Sequence, residues 1–188
     1  MALSSIALCS RALLKTGCRS ISSFEDGTAE AEIAGNLYAP IRDVLLSYHP
    51  WSFASAQVTL PRLQAKPLAD YEYAFQLPSD FLRALSAGAG RGRGLEYRIQ
   101  ERRLHTNASE VVLTYIFRPE ETEFPPFFDQ ALIARLAAEF CIPLTDSTTR
   151  SEKLYGIADV ELKRAKMTDS MQDTPNAIED YTLVGVRN

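Results

Sequence analysis

Two histidines, three cysteines and one glycine–arginine run are the residues of this chain best equipped for chemistry. His49 stands in Tyr48-His49-Pro50-Trp51 and His105 in Leu104-His105-Thr106, far apart and in unlike contexts. A zinc centre wants Cys, His and carboxylate ligands clustered at short spacing. Cys9, Cys18 and Cys141 offer no such spacing. Cys9 and Cys141 fall on apolar stripes and read as small core residues in a reducing compartment. His49, just before Pro50, reads as a helix-end residue rather than a base. No nucleophile elbow, phosphate loop or H-E-x-x-H pair is present. The sequence therefore points to no cofactor, no metal and no catalysis.

The run Gly88-Ala89-Gly90-Arg91-Gly92-Arg93-Gly94 invites a phosphate-loop reading. Dinucleotide loops follow a strand and open a helix; this run is expected to follow a helical turn and open a strand, and its spacing differs. It reads as a flexible connection. Arg91 and Arg93, with Arg98, Arg102 and Arg103 nearby, are candidates to meet DNA phosphates, a neighbouring copy or an acidic partner. Glu120, Glu121 and Glu123 precede a helix and suit its positive end, with no sign of a carboxylate dyad. Asn107-Ala108-Ser109 matches a glycosylation acceptor that a cytoplasmic protein would not use.

The elements that must position these residues follow from periodicity. The chain has 188 residues, is 46% apolar and carries a net charge of −4, which fits one packed domain and does not favour general attraction to nucleic acid. The opening segment has no Lys or Arg ahead of its apolar run, so a signal sequence is not expected, and no run approaches the ~20 apolar residues of a membrane span. Ser4 caps a first helix with Ala2, Ile6, Cys9 and Leu13 on one face and Gly17 at its end. A second helix, from about Thr28 to Tyr48, carries Ile33, Leu37, Ile41, Val44 and Tyr48 as its stripe, with Pro40 expected to kink or split it. Trp51 and Phe53 follow as bulky anchors.

From Ser55 to Arg118 the period becomes two. Strands are expected around Ala56–Leu60, Tyr71–Leu77, Leu95–Ile99, Leu104 and Val111–Phe117, the last apolar on both faces and so central in a small antiparallel sheet. Phe81–Leu85 reads as a short helical turn capped by Ser79 or Asp80. After Pro125-Pro126 two adjacent rows, Leu132-Leu136-Phe140 and Ile133-Ala137-Cys141, predict a central third helix stopped by Pro143. Thr149 and Glu152 form a capping box for a fourth, with Leu154, Ala158, Leu162 and Ala165 inward. The expected fold is α+β: a bundle of about four helices (1–54 and 119–172), an inserted antiparallel β subdomain (55–118) and an extended C-terminal arm (173–188). The arm is apolar without helical pattern and reads as a docking segment.

Several blocks together carry a resemblance. They are ALCSRALLKTGC, SISSFEDGT, LLSYHPWSFASAQVTL, YAFQLPSDFLRAL and LHTNASEVVLTYIFRPEETEFPPFFDQALIARLAAEFCIPLT, closing with KLYGIADVELKRAKMTDSMQDTPNAIEDYTLVGVRN. In this order, over nearly the whole chain, they resemble the head-to-tail adaptors of tailed bacteriophages, the tail tubular protein A group, and adaptors of phage-derived gene transfer particles. Tyr181-Thr182-Leu183 departs from the tryptophan expected near the C-terminus.

The resemblance implies a virion structural protein that forms a ring of copies, dodecameric by family expectation, under the portal protein. The ring would join capsid to tail at the virion neck and let double-stranded DNA pass, after assembly in the host cytoplasm. The arm, with Ile178, Tyr181, Leu183, Val184 and Arg187, would dock on the portal. The β region, with Arg91, Arg93 and Arg98, would meet tail, nozzle or stopper proteins or a neighbouring copy. A stopper or tail terminator is the alternative within phages. Outside them, the alternatives are a nucleic-acid-binding regulator using the basic β region and, more remotely, a small-molecule enzyme.

Overall fold

The structure is a computed structural model that describes residues 3–90 and 92–172. Ala2, Arg91 and the proposed arm residues Ile178, Tyr181, Leu183, Val184 and Arg187 lie outside the described residues. Among the described residues the fold is α+β: four helices and two three-stranded antiparallel sheets, with all six strands between the second and third helices.

Helix α1 spans Ser5–Thr16. Ser4 Oγ accepts from Ala7 N at 3.2 Å, which satisfies one of the free amides of the first turn. Gly17 closes the helix at φ 83°, a conformation that favours glycine, and Cys18 N donates back to Leu13 O. Helix α2 spans Ala29–Ser47, capped by the Thr28 hydroxyl. It runs unbroken through Pro40, where a split was one expectation. Pro40 is exposed, and so is Asn36, whose carbonyl loses its helical partner and can bond water instead.

The buried face of α2 is not the expected stripe. Ala31, Ala34, Tyr38, Leu45 and Leu46 are buried, whereas Ile33, Leu37 and Ile41 are half-buried and Val44 and Tyr48 are exposed. Two alanines on the inner face let α2 approach its neighbours closely, so the bulkier residues pack at the seam's edges.

Helix α3, Pro126–Thr145, is the centre of the bundle and packs against α1, α2 and α4. Both expected rows are buried. The helix continues past Pro143, which was expected to stop it, and ends at Asp146 with φ 52°. Pro143 removes one hydrogen bond within the final turn, a small loss where the ladder is already ending. Helix α4 spans Thr148–Ser170. Its cap is Ser147, which accepts from Arg150 N at 3.4 Å; the Thr149–Glu152 pair falls inside the first turn and does not start the helix. Ala158 and Ala165 are buried, with Leu154 and Leu162 half-buried beside them.

The β region forms two sheets where one was expected. β1 (Ser55–Thr59), β6 (Val112–Phe117) and β3 (Phe81–Gly88) make the first, in the order β1-β6-β3. β2 (Tyr73–Gln76), β5 (Arg103–Thr106) and β4 (Arg98–Gln100) make the second, in the order β2-β5-β4. β6 is central as expected: Leu113 and Tyr115 enter the sheet core, while Ile116 joins the bundle core. Phe81–Leu85 is strand, not a helical turn. Register shifts at Phe81/Arg83 and Ala84/Ser86 break the alternation of β3. Leu82 and Leu85 therefore both reach the bundle core at a spacing of three that mimics a helix. Leu95 and Tyr97 lie outside β4 but still pack on the sheet core.

Trp51 joins the two halves. It is fully buried, its indole N–H donates to Leu45 O at 3.1 Å, and its ring sits 5.2 Å from Phe128 and 5.9 Å from Phe53. Leu132, Leu136 and Phe140 are also fully buried; Phe53 is half-buried and packs on the same cluster. Polar ties reinforce the junction. Arg118 donates to both Asp43 oxygens at 3.0 and 2.6 Å, and Tyr38 Oη and Arg42 both donate to Glu121.

Candidate functional site: interaction surfaces

Among the described residues no group of His, Cys, Asp or Glu is arranged to hold a metal. His49 and His105 lie on separate elements, and Cys9 and Cys141 are buried in the bundle. Burial pushes the Cys9 thiol up to about 12, so it stays protonated and inert at neutral pH.

His49 belongs to a clamp that sequence reasoning did not find. Asp169, in the last turn of α4, is 3% exposed. Its Oδ1 accepts from Ser52 Oγ at 2.7 Å, and its Oδ2 accepts from Ser52 N at 3.1 Å and lies 3.4 Å from His49 Nε2. The His49 ring stands edge-on to Trp51 at 4.8 Å. Burial lowers the His49 pKa, against the pull of Asp169, so the ring is neutral at pH 7. The three residue types echo a nucleophilic triad, but the arrangement is different: the serine hydroxyl is bonded to the carboxylate, not to the imidazole. The clamp ties two distant elements together. It fixes the end of α4, the point from which residues 173–188 continue, to the turn between α2 and β1. No local signal announced it, because Ser52 and Asp169 are 117 positions apart.

The second surface carries a small basic excess, with Lys66, Arg98 and Arg103 against Asp70 and Glu101. In β4 and β5, Arg98 pairs with His105 and Gln100 with Arg103, so all four side chains share one face of the second sheet. Ala74 pairs with His105 and adds a small floor position. The 65–70 segment, with Lys66 and Asp70, covers this face and leaves a cavity of about 300 Å³. Arg98 Nη1 donates to Asp70 at 3.2 Å, while Leu68 stands fully in solvent. Residues 55–118 hold nine Lys or Arg against six Asp or Glu, whereas the whole chain is acidic.

Arg93 and Arg98, grouped by sequence, belong to different places. Arg93 is exposed beside the first sheet, and Arg98 lies on the second. The loop bearing Arg93 is tied down: Ser86 Oγ donates to Gly92 O at 2.7 Å and Leu95 N to Ala87 O at 3.0 Å. Gly88 has to be glycine because a Cβ there would collide with the Arg93 backbone. Sequence reasoning missed Lys66, Asp70 and the part played by His105; the strand register and the 65–70 segment folded over it bring them together.

The chain matches no protein-family model and no curated protein. Among the described residues, no helix is long and apolar enough to cross a membrane.

Proposed function

We propose that this chain is a non-catalytic virion structural protein: a head-to-tail connector adaptor. It sits below a portal protein in a ring of copies, dodecameric by the resemblance, at the neck of the particle. The ring joins capsid to tail and leaves a path for double-stranded DNA. It uses no cofactor.

The observation that carries this reading is the order of elements. Two helices, a β region, two further helices and then residues 173–188 follow one another as the resemblance implies. The surfaces support it. The basic face of the second sheet suits an acidic tail, nozzle or stopper protein, and the Asp169 clamp gives the terminal segment a fixed origin. An anchored segment repeated around a ring binds tightly even where each copy binds weakly.

The test uses purified portal rings with the full chain and with a chain ending at Gln172. The full chain is expected to co-sediment with portal. The shortened chain is expected to lose binding while keeping its circular dichroism. Undiminished binding by the shortened chain defeats the arm; no binding by the full chain defeats the adaptor. The cluster of Lys66, Arg98, Arg103 and His105 favours one second reading, a nucleic-acid-binding regulator. That reading requires a salt-dependent DNA shift that falls when Arg91, Arg93 and Arg98 become alanine. A stopper or tail terminator would bind tail protein but not the portal.

A further inference from the structure

Helix α4 is apolar on two sides. One side packs on α3, its main partner in the bundle. On the other, Ile157, Val160, Met167 and Met171 are 50, 45, 63 and 70% exposed. At about 100° per residue these four share one stripe with Arg164, well round the helix from Ala158 and Ala165. The stripe is about 21 Å long at 1.5 Å per residue. Single exposed apolar residues are ordinary, but four aligned on one helix form a contact surface. Lys153, Lys163 and Arg164 are exposed along it, with Glu161 paired to Arg164 at 2.8 Å.

A second surface has the opposite character. Beside the N-terminal half of α2 lies a groove of about 440 Å³. Its floor is small, with Gly27, Ala31 and Gly35, and Phe24 forms a wall. Gly35 keeps that floor low: a Cβ there would already touch Phe24 at 3.6 Å. Glu25 and Glu32 are exposed at the rim. The flank of α2 that faces Arg135 and Glu139 of α3 is a different one, lined by Ile41 and Val44.

We propose that copies of this chain associate head-to-tail, with the apolar, basic outer face of α4 from one copy seated on the acidic groove beside α2 of the next. This deepens the ring reading above and rests on it. The charges are complementary, lysines meeting Glu25 and Glu32. Unbranched methionine side chains suit a shallow floor of small residues. Two unlike surfaces on one chain make a heterologous contact, so every added copy still presents one free surface of each kind. Such a contact closes into a ring when its rotation allows, and does not stop at a dimer.

The test is disulfide trapping with the full chain in a Cys18→Ser background. Val160→Cys and Asn36→Cys are placed on the two surfaces, singly and together. The double variant is expected to give a ladder of trimers and larger species under oxidation. The two single variants are expected to give a dimer only when mixed. A Val160→Cys dimer formed alone means that α4 meets α4, which overturns the proposal, as does the absence of any cross-link. Lys153→Glu with Lys163→Glu should weaken self-association at least tenfold by sedimentation. Adding Glu25→Lys and Glu32→Lys should restore it, with circular dichroism unchanged throughout. Association that appears only after removal of residues 173–188 would mean that the chain's own terminus covers the stripe, and would also overturn the proposal. Portal binding is measured separately. Its survival with no ladder sinks this interface alone, and its loss with the ladder intact sinks the adaptor reading alone.

Discussion

Replacing Asp169 by alanine tests the clamp that fixes the end of α4. The substitution removes the acceptor of Ser52 N and Ser52 Oγ and the group facing His49. A hydrogen bond to a charged group contributes about 1.5–3 kcal/mol. Ser52 itself is exposed, so water recovers part of the loss, and the bonds share one carboxylate and are not additive. The expected cost is about 2–3 kcal/mol. For a chain of this size that is a fall in Tm of roughly 5–10 °C. The assay is thermal and urea denaturation of Asp169→Ala, Ser52→Ala and the double variant. The double-mutant cycle should give a coupling of about 1 kcal/mol or more between the two positions. A loss under about 0.5 kcal/mol for Asp169→Ala, or strict additivity with Ser52→Ala, would refute the clamp. Acidity should act in the same direction. The folded pKa of His49 lies below its unfolded value, so the unfolded state takes up the proton first. That contribution to stability is lost as pH falls from the ordinary histidine range towards the lowered folded value.

Trp51→Ala should cost about 3–5 kcal/mol, since it empties a fully buried site between Phe53 and Phe128. The same residue is the chain's only tryptophan, so native emission should be blue-shifted and move red on urea unfolding. Asp129→Asn should stabilise the protein at pH 7.5 by about 1–2 kcal/mol, after discounting for solvent screening, and have little effect near pH 4. Burial raises the Asp129 carboxyl to about 6 and, among the described residues, no donor meets its Oδ1, so the native state holds the proton longer than the unfolded chain does. Its contribution is therefore favourable below about pH 4 and lost as pH rises through about 6, which thermal melts across that range would show. Gly88→Ala should push the Arg93 segment off the first sheet. Tryptic cleavage after Arg93 would rise and Tm would fall, by an amount set by about 1–3 kcal/mol of overpacking.

The helices were legible because their signals are local. Ser4, Gly17 and the double row on α3 act within a few residues of themselves, and each did what its chemistry requires. The same locality explains the errors. Two bulges in β3 gave Leu82 and Leu85 a helix-like spacing, and only pairing with β6 settles that stretch as strand. On α2 the bulky residues advertised one face, but closeness to the rest of the bundle selected the alanines beside it. Ser147 and Thr149 are both good caps in isolation; the position where α3 ends chose the first.

The interaction surfaces divide in the same way. That the β region is basic and the whole chain acidic follows from the order of residues alone. That Lys66, Arg98, Arg103 and His105 share one face depends on the antiparallel register of β4 with β5 and on a loop folded over it. The Asp169 clamp joins residues 117 positions apart. The inward face of α4, with Leu154, Ala158, Leu162 and Ala165, was legible from its period, whereas the exposure of Ile157, Val160, Met167 and Met171 is a result of packing. Periodicity tells a helix how many apolar faces it has; which face is left to water is decided by the neighbour that packs against the other.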